Sequence, residues 1–244
     1  MRVREKLLID YKTFLEKGAI TIVAFGDSVT YGALNFDEVD FDTVYHRLLA
    51  QRISAVKKSI PVNMINAGIG GTSALQSLER FESQVLARNP DAVIVAFGLN
   101  DVNGTLENYL KALKIIFSEC LSRGIETVFL TPNMLNTYVT DTLPELYREY
   151  ATRTADFQNN GRMDTYIDEA RKLAHSMGIG VADCYAKWRE MSKTQDTTLL
   201  LANGINHPTR EMHKLFADEL FKVFFAEECK ECGDAVNTMY QEET

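Results

Sequence analysis

Short apolar runs recur along this chain and alternate with longer segments in which apolar residues return every three or four positions. The runs cover residues 20–25, 61–66, 92–97, 127–131 and 179–183. They are apolar on nearly every position, as are strands of parallel sheets that are covered on both sides. The pattern therefore predicts an α/β fold in which strands and helices alternate.

The segments between the runs have the spacing of amphipathic helices. One such face consists of Leu106, Tyr109, Leu110, Leu113, Phe117 and Leu121, and a second consists of Met212, Leu215, Phe216, Leu220, Val223 and Phe224. A further helix is predicted over residues 41–56. Ser73, followed three residues later by Gln76, predicts a capping box at the start of another helix.

The domain organisation is simple, because no internal repeat and no linker rich in Pro, Ser or Gly divides the chain. We predict a single domain over residues 1–244, with an N-terminal helix over 1–18 and a C-terminal tail over 228–244. The least regular stretch, 133–163, is longer than an ordinary connection. It is either the wall of a substrate pocket or a solvated excursion with a short helix of its own.

Composition and charge narrow the range of functions. The chain has 244 residues, of which 45% are hydrophobic and 25% charged, and its net charge of −8 argues against a nucleic-acid partner. No run approaches the ~20 apolar residues of a membrane span, and the N-terminus lacks the apolar centre of a signal peptide. We therefore predict a cytoplasmic protein that acts on a small molecule without a membrane partner, and a homo-oligomer stays open.

The four cysteines indicate free thiols, not a disulfide scaffold. Cys229 and Cys232 have the spacing of half a zinc site, but no second Cys or His pair accompanies them. The remaining two, Cys120 and Cys184, stand apart in other predicted elements. We therefore predict neither a metal site nor a redox site.

Residues with candidate chemistry stand directly after two of the predicted strands. Gly26-Asp27-Ser28 follows the first strand and puts a hydroxyl at its carboxyl end, where ligands bind in open α/β sheets. Asn100 and Asp101 follow the third strand. An amide side chain there can donate a hydrogen bond to a developing negative charge on oxygen.

A glycine-rich segment that could bind phosphate, form an oxyanion site or be only a tight turn follows the second strand. Gly68, Gly70 and Gly71 would let backbone amides approach a ligand, and the helix that opens at Ser73 has its positive dipole end there. The segment lacks the Lys-Ser/Thr ending of a P-loop and the spacing of a dinucleotide loop. An oxyanion site is an alternative use, and a tight turn without a ligand is another.

One histidine stands in a loop before the last helix, whereas the other three lie within helical patterns. His207 precedes Pro208, and the helical residues His46, His175 and His213 are expected to be surface or packing residues. A serine hydroxyl needs a positioned base at neutral pH, and histidine has a suitable pKa. His207 is therefore the candidate partner of Ser28.

Together, the four blocks from Gly26 to Pro208 resemble the SGNH, or GDSL-type, hydrolase family. The resemblance implies a flavodoxin-like three-layer α/β/α sandwich with a five-stranded parallel sheet. It also implies ester hydrolysis without a metal or an organic cofactor. By the same resemblance, Ser28 is the nucleophile and His207 the general base, while the Ser28 amide, the Gly71 amide and the Asn100 side chain form the oxyanion hole.

The resemblance assigns supporting roles to Asp27 and Asp101, and it breaks at one position. The family carries an aspartate three residues before its histidine, where this chain has Gly204. Asn203 is one candidate for the missing orienting group. The other is a backbone carbonyl, which would leave a Ser-His dyad.

The sequence thus predicts a serine esterase for a small or carbohydrate-linked ester, with an O-acetyl group as the expected acyl part. A thioesterase or a lysophospholipase is an alternative within the same family. A catalytically weak member that binds a glycan or a partner protein is a second alternative, and a flavodoxin-like nucleotide binder is a third.

Overall fold

The computed structural model describes residues 1–225, which form one parallel sheet with helices on both sides. Its strands are β1 (Ile20–Gly26), β2 (Val62–Gly68), β3 (Ala92–Ala96), β4 (Glu126–Leu130) and β5 (Gly180–Ala182). They lie in the order β2-β1-β3-β4-β5, which is the order of flavodoxin-like folds. The predicted α/β/α sandwich with a five-stranded parallel sheet is confirmed.

The helices cover both faces of this sheet. They are α1 (Val3–Leu7), α2 (Tyr11–Lys17), α3 (Ser28–Tyr31), α4 (Tyr45–Val56), α5 (Ala74–Gln84), α6 (Leu106–Ser122), α7 (Glu145–Asn159), α8 (Arg162–Ser176), α9 (Cys184–Met191) and α10 (Arg210–Phe225). Helices α4 and α10 pack together on one face, and α5, α6 and α8 cover the other. Within residues 1–225, no helix combines the length and the apolar character needed to cross a membrane.

The N-terminal segment differs from its prediction. Residues 1–18 hold two short helices, α1 and α2, where a single helix was expected. The chain restarts because the Asp10 side chain accepts a hydrogen bond from the Thr13 amide and so caps α2. The predicted tail over 228–244 lies outside the described residues.

Two histidines are buried between the helices and the strand ends, as expected for packing residues. His46 Nε2 lies 3.0 Å from the Thr30 carbonyl, and His213 Nδ1 accepts the Tyr45 amide at 3.2 Å. Burial lowers the pKa of His46 to about 4 and that of His213 to about 3. Both rings are therefore neutral at pH 7 and act as hydrogen-bonding parts of the core.

Two glycines allow the short helix α3 to lie directly against the strand ends. A Cβ atom on Gly26 would lie 2.1 Å from Thr30 Oγ1 and 2.6 Å from the Ala96 carbonyl oxygen. On Gly68 it would lie 2.2 Å from the Tyr31 backbone nitrogen. Any larger residue would push α3 away from the sheet, so both positions require glycine.

We expect Gly68→Ala to lower the free energy of unfolding by about 3 kcal/mol, because the methyl group meets backbone atoms that cannot turn aside. Gly124→Ala is the control, since Gly124 has a φ of +66° and open space around its Cβ position. It should cost about 1 kcal/mol from backbone conformation alone. Urea unfolding measures both variants, and equal losses would contradict the close approach at Gly68.

Candidate active site

Ser28 begins α3 at the carboxyl end of β1, an inner strand between β2 and β3. The preceding residue, Asp27, is the N-cap of this helix, and its Oδ1 accepts the Val29 amide at 3.0 Å. The Ser28 side chain is almost buried but borders a cavity. The local sequence thus fixes the hydroxyl at the helix start, where the backbone amides have no partner within the helix.

His207 lies next to Ser28, although 179 residues separate them along the chain. The distance from His207 Nε2 to Ser28 Oγ is 2.9 Å. The histidine backbone is held by its neighbours, because its amide donates to Asn203 Oδ1 and its carbonyl accepts the Ala202 amide. The structure therefore brings together the serine and the histidine that the sequence singled out.

The second ring nitrogen of His207 contacts a backbone carbonyl. Nδ1 lies 3.1 Å from the carbonyl oxygen of Leu34, a buried residue in the segment after α3. Because a carbonyl only accepts hydrogen bonds, Nδ1 carries the proton and Nε2 presents its lone pair to the Ser28 hydroxyl. This is the tautomer that can accept the serine proton.

Two opposing effects act on the charge of the His207 ring. Burial lowers its pKa below the ordinary value of 6.5, and the hydrogen bond to the Leu34 carbonyl partly offsets this effect. The ring is consequently neutral at pH 7. A neutral imidazole beside a hydroxyl can act as a general base.

Asn203 organises the backbone of the histidine loop. Its Oδ1 accepts the amides of residues 205, 206 and 207, and its Nδ2 donates to Asn206 Oδ1. Gly204, which stands where the family has aspartate, adopts a left-handed conformation with φ +66°. The Nδ1 contact considered for Asn203 is therefore made by Leu34 instead.

The glycine segment and Asn100 face the same cavity as Ser28 and His207. Asn100 Nδ2 donates to the Thr72 carbonyl at 3.2 Å, which uses one of its two hydrogens. Gly71 has a φ of +73° and an open Cβ position, so its backbone is accessible. Ser73 and Gln76 form the predicted capping box at the start of α5.

Two buried carboxyl groups lie beneath these residues. Asp101 Oδ1 accepts the Ala74 amide at 2.9 Å, which ties the end of β3 to the start of α5. Burial raises the pKa of Asp101 to about 7, and it does the same for Asp27. Both side chains serve as backbone acceptors, Asp27 for α3 and Asp101 for α5.

Arg80 is a site residue that the sequence reasoning missed. From α5, its guanidinium donates to the Gly26 carbonyl at 2.9 Å and to the Ala67 carbonyl at 2.6 Å. It also lies over the Phe25 ring, 4.6 Å from the ring centre. Arg80 thereby joins the ends of β1 and β2 below Ser28, and no motif marks it because the two acceptors are backbone atoms.

The cavity in front of Ser28 has a volume of about 1010 Å³. The stretch 133–163 contributes to its wall and also contains a helix, so both interpretations of that stretch hold in part. It forms an irregular connection, then α7 and the turn into α8. The aromatic residues that line the cavity are Tyr31, Phe36, Tyr109, Tyr147, Tyr150 and Phe157.

Neither of the two cysteines in the described part of the chain lines this cavity. Cys120 and Cys184 are buried free thiols. Cys229 and Cys232 lie outside the described residues. Among residues 1–225, no group of three or more His, Cys, Asp or Glu side chains could hold a metal ion.

Comparison with known proteins identifies similar sequences. The profile of the GDSL-like lipase/acylhydrolase family matches residues 24–215. The uncharacterized lipoprotein YqeF of Bacillus subtilis (strain 168) is 33% identical over 112 residues, which are 45% of this chain and 44% of that protein. The match thus spans less than half the length of that relative.

Solved structures share the fold. Axe2, an acetylxylan esterase from Geobacillus stearothermophilus, has a TM-score of 0.65 at 21% identity, over 85% of this chain and 95% of its own. A lipase/acylhydrolase from Enterococcus faecalis has a TM-score of 0.66 at 24% identity, over 83% and 94% of the two chains. At these identities the likeness concerns the fold.

The buried carboxyl of Asp101 should make stability depend on pH. With a folded pKa of about 7 against about 3.8 in the unfolded chain, Asp101 holds an extra proton in the folded state between these values, so its contribution to stability falls as pH rises. Asp101→Asn lacks this titration. The unfolding free energy of the variant minus that of wild type should therefore grow from pH 4 to pH 7 and level off above.

Chemical denaturation at several pH values measures this difference. Asp10→Asn is the control, because hydrogen bonds from the Thr13 amide and side chain lower the pKa of the exposed Asp10. Its difference from wild type should stay flat between pH 5 and pH 9. A difference that is equally flat for Asp101→Asn would show that this carboxyl titrates normally.

Proposed function

Because this chain belongs to the GDSL-like lipase/acylhydrolase family, we propose that it is a serine esterase that hydrolyses a small or carbohydrate-linked O-acetyl ester through an acyl-enzyme. The observation that carries the proposal is the 2.9 Å contact between Ser28 Oγ and His207 Nε2 at the wall of an open cavity. Both residues belong to the matched part of the chain.

In the first half of the reaction, His207 Nε2 takes the proton of Ser28 as the serine oxygen attacks the ester carbonyl. The Ser28 amide, the Gly71 amide and the second hydrogen of Asn100 Nδ2 stabilise the negative oxygen of the tetrahedral intermediate. The intermediate then collapses. Nε2 returns its proton to the alcohol oxygen, which leaves.

In the second half, a water molecule replaces the alcohol. Nε2 takes a proton from the water as its oxygen attacks the acyl carbon of the ester on Ser28. The same donors hold the second tetrahedral intermediate. When it collapses, the carboxylic acid leaves and the proton returns to Ser28 Oγ.

The Leu34 carbonyl performs part of the work of an aspartate. In serine proteases, replacement of that aspartate by asparagine costs about 10⁴ in turnover because the amide imposes the wrong tautomer. A carbonyl imposes the correct tautomer, since it accepts and cannot donate. It stabilises the imidazolium with a dipole instead of a full charge, so His207 works as a dyad base with a fixed ring.

The cavity supports a substrate that carries a sugar or another flat-faced group. Aromatic side chains line it beside polar ones, and acyl groups without long tails suit an open pocket of this kind. The acetylxylan esterase with the same fold points in the same direction. The cytoplasmic location stays a prediction.

The test is hydrolysis of 4-nitrophenyl acetate, butyrate and octanoate, together with acetylated xylooligosaccharides. Ser28→Ala should lower kcat by at least about 10³-fold, and His207→Ala should do the same, since the two act as a unit. Asn100→Ala should cost about 10²-fold to 10³-fold. Ser122→Ala, at an exposed serine at the end of α6, is the control and should match wild type.

Other outcomes separate the alternatives. Faster turnover of a thioester or a lysophospholipid than of any acetyl ester would assign one of those activities to the same residues. Unchanged turnover in Ser28→Ala would end the esterase proposal. Wild type that is inert on every substrate but binds xylooligosaccharide would favour a glycan-binding protein.

The pH profile should reflect the neutral His207 ring. The ring acts as a base only when unprotonated, and its pKa lies below 6.5, so kcat/KM should fall on the acid side with an apparent pKa below 6.5. Initial rates with 4-nitrophenyl acetate between pH 4 and pH 9 measure it. A limb near pH 7 that vanishes in Asp101→Asn would instead assign the titration to the buried carboxyls.

A further inference from the structure

We propose that Arg210 is a positioning residue, which holds the Leu34 carbonyl within hydrogen-bonding distance of His207 Nδ1. Arg210 does so by clamping the segment that carries this carbonyl. The inference rests on the proposed function, because it concerns the same serine and histidine. It adds a component that lies outside the cavity and touches neither the serine nor the ring.

The Leu34 carbonyl belongs to a small hairpin, residues 32–40. Ala33 and Val39 form an antiparallel bridge, and the Leu34 amide donates to the Glu38 carbonyl at 2.9 Å. The Asp40 amide donates to the Gly32 carbonyl, also at 2.9 Å. The direction of the Leu34 carbonyl is therefore set by the position of the whole 32–40 hairpin.

Arg210 binds this hairpin through two carboxylates. Its guanidinium contacts Glu38 Oε1 at 2.5 Å and Asp40 Oδ2 at 2.6 Å. Arg210 stands three residues after His207 and begins α10. One cation thus joins the segment that carries the ring to the hairpin that carries its acceptor.

Asp40, one of these two carboxylates, is held in place by further hydrogen bonds and stays charged. Asp40 also accepts the amides of Asp42 and Thr43 and the Thr43 hydroxyl, so it is fixed independently of Arg210. The side-chain hydrogen bond from Arg210 is the largest of several effects that hold the pKa of Asp40 far below its ordinary value. Asp40 therefore stays charged across the pH range of the assay.

A second contact holds the other side of the hairpin. The Phe36 ring stacks on the Tyr147 ring of α7, with centres 3.8 Å apart and planes 6° apart. Both rings also line the cavity, so their substitution would change the substrate pocket as well as the hairpin. Arg210 is not among the residues that line the cavity, which makes it the cleaner probe.

The two effects of removing Arg210 on the pKa of His207 have opposite signs. Loss of a nearby positive charge would raise this pKa, whereas loss of the Leu34 hydrogen bond would lower it. The titratable or charged groups on the elements around His207 include Asp27, Tyr31, Asp37, Glu38, Asp40, Asp101, Arg210, Glu211 and His213. The direction of the shift therefore distinguishes positioning from simple electrostatics.

The experiment compares wild type, Arg210→Ala, Arg210→Lys and Arg123→Ala in the full chain. Arg123 is the matched control, because it also contacts two carboxylates, Glu82 and Glu119, and is similarly exposed. It lies at the end of α6, close to the amino end of β4, whereas the site lies at the carboxyl ends of the strands. Three quantities are measured: kcat and KM on 4-nitrophenyl acetate, the acid limb of kcat/KM, and the His207 imidazole ¹⁵N signals.

If Arg210 positions the Leu34 carbonyl, Arg210→Ala lowers kcat on the order of fivefold and changes KM less. This fold-change corresponds to the largest free energy usually measured for an exposed ion pair. The apparent pKa of the acid limb of kcat/KM falls by about half a unit, because the Nδ1 hydrogen bond weakens. The ¹⁵N signals, assigned through His207→Asn, show a smaller share of the Nδ1–H tautomer. Arg210→Lys restores part of each change, and Arg123→Ala shows none.

Salt gives an independent arm of the same test. The Arg210 clamp is exposed, so 1 M NaCl, where the Debye length is about 3 Å, should lower kcat of wild type and of Arg123→Ala. The kcat of Arg210→Ala should not change with the salt concentration. Equal salt dependence in all variants would count against the clamp.

The results that overturn the inference are distinct from those that overturn the esterase proposal. If Ser28→Ala is inactive while Arg210→Ala matches Arg123→Ala, or shifts the acid limb upward, only the positioning role fails. If Ser28→Ala keeps its activity, the esterase proposal fails instead. In that case the ¹⁵N signals still report whether Arg210 holds the His207 tautomer.

Discussion

The site depends on how closely α3 can approach the carboxyl ends of β1 and β2. Glycine at positions 26 and 68 leaves no side chain between the helix and the sheet, so the chain turns from β1 into Ser28 without a gap. Arg80 then takes up the carbonyls that this sharp turn leaves at the strand ends. The Ser28 hydroxyl is therefore supported by backbone contacts and by the half-buried guanidinium of Arg80.

The His207 ring is likewise held by a backbone group and not by a charged side chain. Burial alone would leave the ring free to adopt either tautomer, and the Leu34 carbonyl removes that freedom without adding an ion. The buried carboxyls of Asp27 and Asp101 accept backbone amides below the site and do not contact the ring. Buried carboxyl groups thus hold the starts of helices, whereas a backbone dipole contacts the His207 ring.

Much of this arrangement can be predicted from the sequence, because it depends on periodicity and on short local motifs. The five strands, the capping box at Ser73 and the pairing of Ser28 with His207 follow from such signals. The group that orients His207 does not. Asn203 looked suitable by residue type, but its side-chain oxygen already accepts three backbone amides of the loop. Every residue has a carbonyl, so no residue type could mark Leu34.

A backbone acceptor also changes which mutations can remove this hydrogen bond during evolution. An aspartate in that place can be lost through a single nucleotide change, whereas a carbonyl at position 34 survives every amino-acid replacement there. A comparison of point variants would therefore overlook the position, or would attribute its sensitivity to the buried Leu34 side chain. Insertions and deletions within residues 32–40 are different, since they move the carbonyl itself. In this protein, one component of the candidate active site is conserved only if the length of the 32–40 segment is conserved.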